Sequence, residues 1–493
     1  MRLTQSENWK VAMSGREGIS PKAGDRSTVQ FIVREVCEVL SACGRASWRS
    51  GLLAVPNTSA SSMRRRAEPS VAELQFSFPL THEAVLAMMA CFSNEGDGCL
   101  LPTPFVTELL TKQEELLHAL PNVVEFEVPP GQQICIVGDI HGQYADLMHV
   151  FYMHGFPSLE KPYLFNGDFV DRGNQGVEVT LTVFAFQQLY PGAIFLNRGN
   201  HEEASCHSVD GFRKESIYKY GLAVYDLYER LFTRLPLATV LNGAVLVVHG
   251  GVDSNFTLEQ LRDADRAAYV AIVNSGSAKR KRFARPEGAK RGTHIEQTAQ
   301  IEALAKANYP INAALWNDPG ICEGECFNKF RGTGMVFGRD VCRRWLEDNG
   351  LLLVIRSHEE VEHGFEWPFG DGELLVTVFS ASNYARSTRN KGAIAFLSSR
   401  SASSRPDVPD AGWPSAAGLD TMQPSLLCSE SDVTTIPADQ GCEALASESP
   451  ATLAGSSTLC ASHYSFEFGA LRFLQYEAHE LSSHKRICVP EHL

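Results

Sequence analysis

Five short apolar runs in this sequence are each followed by polar side chains that could bind a metal ion or a phosphate group. ICIVG (134–138) precedes Asp139 and His141, YLFNG (163–167) precedes Asp168 and Asp171, AIFLN (193–197) precedes Asn200, AVLVV (244–248) precedes His249, and LLLVI (351–355) precedes His358. Apolar runs of this length predict buried strands, and in a helix-covered sheet ligands gather beyond the carboxyl ends of the strands. We therefore expect the five strand ends to meet at one crevice.

Each strand end has an ordinary explanation when it is taken alone. A lone Asp-x-His pair is more often a turn or a helix cap, and Asp168 and Asp171 could cap a helix that starts near Asn174. His249 before two glycines is by itself more often a core or turn histidine. Five such coincidences at five strand ends are a poor explanation, so we favour a shared site.

The residue types at these ends indicate what the site would bind. The six candidate ligands offer carboxylate, imidazole and amide groups but no thiolate: Asp139, His141, Asp168, Asn200, His249 and His358. Such a set suits Mn²⁺, Fe or Zn²⁺ better than a structural zinc site, which favours cysteine. Two carboxylates cannot neutralise two divalent ions, so the site would stay positive and attract a phosphate dianion. The lone pair Cys322 and Cys326 is interpreted as structural or incidental.

Composition excludes several classes of protein. The chain has 493 residues, of which 44% are apolar and 21% charged, as in soluble globular proteins. A net charge of −14 argues against nucleic acid as a partner, and no apolar run approaches the roughly 20 residues of a membrane helix. The N-terminus has no apolar secretory region. Thirteen scattered cysteines favour free thiols in a reducing compartment, so we expect a cytoplasmic or nuclear protein.

The periodicity of the chain predicts alternating helices and strands. Helical spacing covers 106–120, 144–153 and 177–190, between apolar strands at 134–138, 163–167 and 193–197. Fully apolar strands separated by helices indicate a sheet that is covered on both faces. Further strands are expected at 244–250, 351–357, 374–380 and 392–397 with less helix between them, which favours a mixed sheet or a β-sandwich over a purely parallel sheet.

Composition divides the chain into four regions. Residues 1–75 are expected to form a flexible extension, 76–397 a catalytic domain, 398–468 a low-complexity disordered insertion, and 469–493 a final core strand with a tail. The insertion would then separate two strands of one sheet. The basic stretch 276–294 predicts a solvated loop, with nuclear import or a partner site as the alternative.

Eight motifs give these regions a family resemblance. In order and spacing they resemble the signatures of the phosphoprotein phosphatase (PPP) family: GDIHG (138–142), GDFVDRG (167–173), RGNHE (198–202), HGG (249–251), LWNDP (315–319), FRGTGMVFG (330–338), RSHE (356–359) and FSASNY (379–384). GDFVDRG and RSHE look closer to the type-5 and EF-hand subfamilies, although no EF-hand or tetratricopeptide repeat is recognisable. The resemblance implies an α/β calcineurin-like metallophosphoesterase fold, a central mixed β-sandwich flanked by helices.

The resemblance also implies an activity. A protein-serine/threonine phosphatase, a phosphoric monoester hydrolase, would cleave phosphoserine and phosphothreonine in proteins with a hydroxide activated by two metal ions, in line and without a phosphoenzyme. By the same resemblance, Asp139 and His141 would hold one ion, Asp168 would bridge, and the second ion would be held by Asn200, His249 and His358. Mn²⁺ is the expected ion in vitro, with Fe or Zn²⁺ as alternatives.

The remaining site residues follow from the same motifs. His201 would protonate the leaving alkoxide and Asp171 would orient its imidazole. Arg172 and Arg331 would bind phosphate oxygens, and Tyr384 would line the cleft. The expected partners are phosphoprotein substrates, with room for a regulatory protein subunit.

The sequence also departs from the family pattern. Ser382 and Ala385 stand where the family commonly has proline and cysteine. Two alternative functions stay open at this point. A related metallophosphoesterase would act on dinucleotides, and a non-catalytic scaffold would only bind phosphopeptides.

Overall fold

The computed structural model describes residues 76–93, 100–269, 306–370, 372–399, 464–468 and 471–477. The predicted extension 1–75, the basic stretch 276–294 and most of the predicted insertion lie outside the described residues. Within the described part of the chain, no helix has both the length and the apolar character needed to cross a membrane.

Two six-stranded mixed sheets form the centre of the fold. The first sheet has the order β14-β15-β13-β2-β3-β4, with β2 Gln133–Val137, β3 Tyr163–Phe165, β4 Ile194–Leu196, β13 Gly392–Ser398, β14 Tyr464–Phe468 and β15 Leu471–Tyr476. Its β2, β3 and β4 run parallel, whereas β13, β14 and β15 pair antiparallel.

The second sheet has the order β1-β5-β6-β10-β12-β11. Its strands are β1 Val123–Phe126, β5 Ala238–Leu241, β6 Val245–Val248, β10 Leu353–Arg356, β11 Phe365–Glu366 and β12 Leu375–Val378. β6, β10 and β12 are parallel neighbours, so their carboxyl ends meet at one edge. A separate three-stranded sheet contains β7 Asp318–Pro319, β8 Glu325–Phe327 and β9 Met335–Phe337.

The side chains of β2 point alternately to the two faces of the first sheet, and their contacts show how the two sheets pack. Ile134 and Ile136 belong to the apolar layer between the two sheets, where they join Val247 and Ile355 of the second sheet. Cys135 and Val137 face the other way and belong to the helix-covered core outside the first sheet. Because successive side chains point to opposite faces, a strand covered on both sides must be apolar throughout.

Helices cover the outer faces of both sheets. Their bounds are His82–Ser93, Thr103–His118, Tyr144–His154, Gly176–Leu189, Ala204–His207, Phe212–Tyr220, Leu222–Phe232, Leu258–Asp263, 306–316 and Arg339–Asp348. The three helices expected from periodicity are present with ends shifted by at most a few residues. The predicted mixed β-sandwich flanked by helices is confirmed.

The region after β13 corrects one predicted boundary. β15 pairs antiparallel with β13 from Gly392↔Tyr476 to Leu397↔Leu471, so chain segments far apart in sequence are neighbours in one sheet. Residues 464–468, which were assigned to the disordered insertion 398–468, form β14 beside β15. The prediction was wrong at that end because composition averaged over a long segment hides five residues, YSFEF, whose aromatic residues alternate with polar ones.

Candidate active site

The structure brings the six predicted ligands together at the carboxyl ends of the strands. All are buried: Asp139, His141, Asp168, Asn200, His249 and His358 are at most 7% exposed. Asp168 lies at the centre, with one carboxylate oxygen 3.3 Å from His249 Nε2 and the other 3.5 Å from His141 Nε2. His141 Nε2 is also 3.6 Å from Asp139 Oδ2. The two distances from His141 are too long for hydrogen bonds.

The backbone at the strand ends is held in an unusual conformation. His141, Asp168 and His358 have φ of 48°, 49° and 70°, in the left-handed region that non-glycine residues rarely occupy. Asp171 and Arg172 share it, with φ of 70° and 67°. Strain of this kind persists where the surrounding structure over-determines it, and it is concentrated at functional sites.

Gly199 is required by the close approach of β3 and β4. A Cβ atom on this residue would lie 2.2 Å from Asp168 Oδ1 and 2.3 Å from the Asp168 backbone nitrogen. The next residue, Asn200, begins a single 3₁₀ turn, Asn200–Glu202. The absence of a side chain at Gly199 therefore lets two segments, each carrying a candidate ligand, meet without displacing the central carboxylate.

The histidines are oriented as metal ligands. His141 Nδ1 donates to the Val170 carbonyl at 3.0 Å and His249 Nδ1 to the Asn166 carbonyl at 2.9 Å. A carbonyl can only accept, so Nδ1 carries a hydrogen in both residues and Nε2 is directed at the carboxylates. His358 Nε2 is buried and has no hydrogen-bond partner in the described part of the chain. A cation would satisfy that nitrogen.

The charges in the cluster favour the same conclusion. Burial and then the Asp168 carboxylate raise the pKa of Asp139 to about 7. Burial lowers the pKa of His141 to about 3, and burial followed by Arg331 holds the pKa of His358 well below its usual range. Two neutral imidazoles beside two carboxylates that repel each other form a set that divalent cations would stabilise.

The pKa values of Asp168 and His249 are shifted in the opposite directions to those of Asp139 and His141. Burial would raise the pKa of Asp168, but His249 and then His201 outweigh burial and lower it. His249 Nε2 faces Asp168 Oδ1 at 3.3 Å and Asn200 Oδ1 at 2.9 Å, and the Asp168 charge overcomes burial to raise the pKa of His249. A positive charge is favoured between these three groups, and a metal ion can take the place of the proton.

His201 lies beside the ligands and is held by a carboxylate. Its Nδ1 donates to Asp171 Oδ2 at 2.7 Å, and its backbone N–H donates to Asp168 Oδ1 at 2.9 Å. Burial would lower the pKa of His201, but Asp168 and then the Asp171 hydrogen bond outweigh burial and raise it to about 9. His201 is close enough to His141 and Asp168 to share an ion with them. A protonated imidazole cannot ligate a metal, so this charge state favours a proton donor.

The predicted phosphate-binding residues lie at the edge of the cluster. Arg172 is 40% exposed, and its guanidinium lies beside the Tyr384 hydroxyl. The Tyr384 ring lies 5.0 Å from the His141 ring. Arg331 donates to Asp318 Oδ1 and to the His358 carbonyl, both at 3.1 Å. Arg331 therefore contacts a candidate ligand directly, whereas Arg172 contacts Tyr384 at the edge and has the more exposed side chain of the two, at 40% against 20%.

Four residues of this site were not identified from the sequence. Buried Glu202 accepts from the backbone N–H groups of Asp168 and Phe169 at 2.8 Å and of Gly199 at 2.9 Å, so it fixes two strand ends at once. Buried Asn166 donates to the Val248 carbonyl and to Ser357 Oγ, both at 2.9 Å, and so links the two sheets beneath the site. Glu202 belongs to the motif RGNHE and Asn166 to the apolar run YLFNG, but neither has a residue type that predicts these contacts.

The other two overlooked residues are acidic. Asp318, in LWNDP, accepts from both Arg331 and the fully buried Arg356. Asp210 Oδ2 lies 3.6 Å from Arg172 Nη2 and 4.0 Å from His201 Nδ1. Asp318 stood within a recognised motif, whereas Asp210 had no local signal. Cys322 and Cys326 are free, exposed and outside the cluster.

The sequence of this chain is similar to those of several known proteins. Residues 133–361 match the calcineurin-like phosphoesterase family. The chain is 40% identical over 299 residues to serine/threonine-protein phosphatase T of Schizosaccharomyces pombe, an alignment covering 60% of this chain and 56% of that protein. It is 39% identical over 314 residues to serine/threonine-protein phosphatase 5 of Arabidopsis thaliana, covering 64% and 51%.

A third relative is named for its EF-hands, the second of the two subfamilies that the motifs resemble. The chain is 36% identical over 331 residues to serine/threonine-protein phosphatase with EF-hands 1 of Rattus norvegicus, covering 65% of this chain and 50% of that protein. The predicted likeness to the type-5 and EF-hand subfamilies is confirmed. In these three alignments the chain spans about half the length of each relative.

Proposed function

This chain belongs to the phosphoprotein phosphatase family, and on that premise we propose that it hydrolyses phosphoserine and phosphothreonine in proteins. One observation carries the proposal. Asp168 and five further buried candidate ligands form one cluster, and a hydrogen-bonded His201–Asp171 pair lies directly beside them. Metal ligands and a proton donor in one cleft are the groups that phosphate ester hydrolysis requires.

We propose that the cluster holds two divalent ions. Asp139 and His141 would hold the first, Asp168 would bridge, and Asn200, His249 and His358 would hold the second. When bound, such ions supply positive charge for the phosphoryl oxygens and make hydroxide available near neutral pH. The donor set suits Mn²⁺, Fe or Zn²⁺, and we propose Mn²⁺ for activity in vitro.

His201 is the proposed general acid. Its Nδ1 is committed to Asp171, which leaves Nε2 to deliver a proton to the departing serine or threonine oxygen. Asp171 is itself fixed, because its other oxygen accepts from the Phe212 backbone N–H at 2.8 Å. This second contact keeps the imidazole oriented while it loses and regains its proton.

Arg172, Arg331 and Tyr384 would bind the phosphate. The guanidinium of Arg172 is planar and its side chain is 40% exposed, so it suits two phosphate oxygens. Arg331 is tied to Asp318 and to the His358 carbonyl, which gives it a fixed direction. Tyr384 lies between Arg172 and the His141 ring and would complete that wall of the cleft.

The partners and the compartment follow as further parts of the proposal. Phosphoproteins are the proposed substrates, a regulatory subunit is a proposed partner, and a cytoplasmic or nuclear location is proposed from the free cysteines. All six cysteines in the described part of the chain are free thiols.

The test compares substrates on the full chain with and without Mn²⁺. We expect turnover of a phosphoserine peptide that requires the added ion, little turnover of a dinucleoside tetraphosphate, and two ions per chain by metal analysis. Preferred cleavage of the dinucleotide would replace the proposed substrate. Tight peptide binding without turnover or bound metal would favour the scaffold.

A further inference from the structure

Ser382 is one of the two positions at which the sequence departs from the family pattern. Its side chain makes a buried contact with a segment that is distant in the sequence. Ser382 lies in the loop between β12 and β13 and is 3% exposed. Its hydroxyl donates to Asp146 Oδ1 at 2.6 Å and its backbone N–H to Asp146 Oδ2 at 3.2 Å. These two residues are 236 positions apart in the chain.

Asp146 is a buried carboxylate that serves this loop. It lies in the first turn of the helix Tyr144–His154 and is 3% exposed. Among the described residues, no basic side chain forms an ion pair with it, so hydrogen bonds alone compensate its burial. Its remaining bond comes from Gln143 Nε2 at 2.6 Å.

Gln143 forms hydrogen bonds both to Asp146 and to the loop that contains Ser382. Its Nε2 donates to the Ser382 carbonyl at 2.8 Å, and its Oε1 accepts from the Ala385 backbone N–H at 3.3 Å. Gln143 and Asp146 therefore hold the loop at Ser382 and again at Ala385. We call this set of three residues, Gln143, Asp146 and Ser382, the loop clasp.

Tyr384 lies between the two anchored points. Its neighbours Asn383 and Ala385 have φ of 42° and 49°, a conformation that needs outside support. The Tyr384 ring packs edge-on against Phe379 at 5.2 Å and lies 5.0 Å from His141, and its hydroxyl lies beside the Arg172 guanidinium. Movement of the loop would therefore displace the group that orients Arg172.

We propose that Ser382 and Asp146 are positioning residues, which act through Tyr384 to hold Arg172 at the phosphate subsite. The inference rests on the proposed function for the identity of that subsite. A proline at position 382 would have neither the hydroxyl nor the N–H that Asp146 accepts, so the clasp depends on this chain's own serine.

The experiment is a double-mutant cycle on the full chain loaded with Mn²⁺. It compares Ser382→Ala, Tyr384→Phe and the double variant, with Ser398→Ala at the exposed end of β13 as the matched control. The readouts are kcat and KM on a phosphoserine peptide and the Kd of inorganic phosphate by calorimetry. Metal content and thermal unfolding are recorded for each variant.

We expect Ser382→Ala to weaken phosphate binding roughly 3–10-fold and to raise KM more than it lowers kcat, because the ligands and His201 are untouched. Residues that act through one another are not additive, so Ser382→Ala should add little in the Tyr384→Phe background. Ser398→Ala should match the wild type. Gln143→Leu, which removes the other half of the clasp, should repeat this pattern and replaces Ser382→Ala if that variant does not fold.

Two results would overturn the inference: wild-type phosphate affinity in both clasp variants, or effects that add fully to Tyr384→Phe. The proposed function fails separately. A wild-type protein that binds phosphate but cleaves no phosphopeptide would refute that function, while the phosphate Kd values would still test the clasp. A wild-type protein that binds no phosphate would refute both.

Discussion

The floor and the rim of the candidate active site are built in different ways. The floor consists of strand ends whose side chains are buried and whose backbone is fixed by contacts such as those of Glu202. The rim is open: Arg172 and Asp210 are 40% and 30% exposed, and Val209 and Phe330 are 70% and 97% exposed. A buried floor suits metal binding and proton transfer, whereas an exposed rim suits selection among substrates.

Substitution of the central candidate ligand of the floor, Asp168, should have the largest effect on metal binding and activity. We expect Asp168→Asn to abolish metal retention and phosphopeptide hydrolysis together, because Asp168 contacts histidines on both sides of the cluster. Metal analysis and a phosphoserine peptide assay measure the two losses. Asp226→Asn, at an exposed helix position, is the matched control and should change neither. Two retained ions would contradict the bridging role.

His201→Ala separates proton transfer from metal binding. Both ions should remain, while turnover of a phosphoserine peptide falls roughly 10²–10⁴-fold, the usual contribution of a general acid. The loss should be smaller for an aryl phosphate, whose leaving group needs less protonation. His118→Ala on an exposed helix position is the control. Full activity of His201→Ala on the peptide would show that another group donates the proton.

Glu202→Gln tests whether the floor is held by its supporting carboxylate. Three buried backbone N–H groups donate to Glu202, and an amide presents only one oxygen in place of two. The free energy of unfolding should fall by about 1–3 kcal/mol, the usual effect of leaving a buried donor unsatisfied. Urea denaturation measures the change, with exposed Glu259→Gln as the control. An unchanged unfolding free energy would mean that other acceptors replace the carboxylate.

Asp210→Asn sharpens the comparison at the rim. Asp210 lies 3.6 Å from Arg172 Nη2 and would repel the phosphate dianion. Exposed ion pairs are worth about 0.2–1 kcal/mol, so KM for a phosphopeptide should fall about 1.5–5-fold at unchanged kcat. Steady-state kinetics at low salt test this, with Asp263→Asn as the control. A higher KM would show that Asp210 helps to position Arg172.

Much of the fold and the site was predictable because the signals are local. Each apolar run such as ICIVG must be a strand covered on both faces, and a ligand that follows it directly must lie at the strand end. The helices Phe212–Tyr220 and Leu222–Phe232 were not predicted, nor was the small sheet containing Asp318. In Phe212–Tyr220 buried Lys219 and Glu215 pair at 2.8 Å, so polar residues occupy positions where a pattern search expects apolar ones.

The sequence by itself determined which residue types follow which strands, and hence that carboxylates, imidazoles and an amide could share a pocket. Only the tertiary structure decided how they meet: His358 N–H donates to Asp139 at 3.1 Å across 219 residues. It also decided that Asp146 holds the Tyr384 loop across 236 residues. The physical reason is that strand formation follows from side-chain pattern over a few residues. The partner of a buried polar group depends on sheet order and on which distant segment must satisfy it.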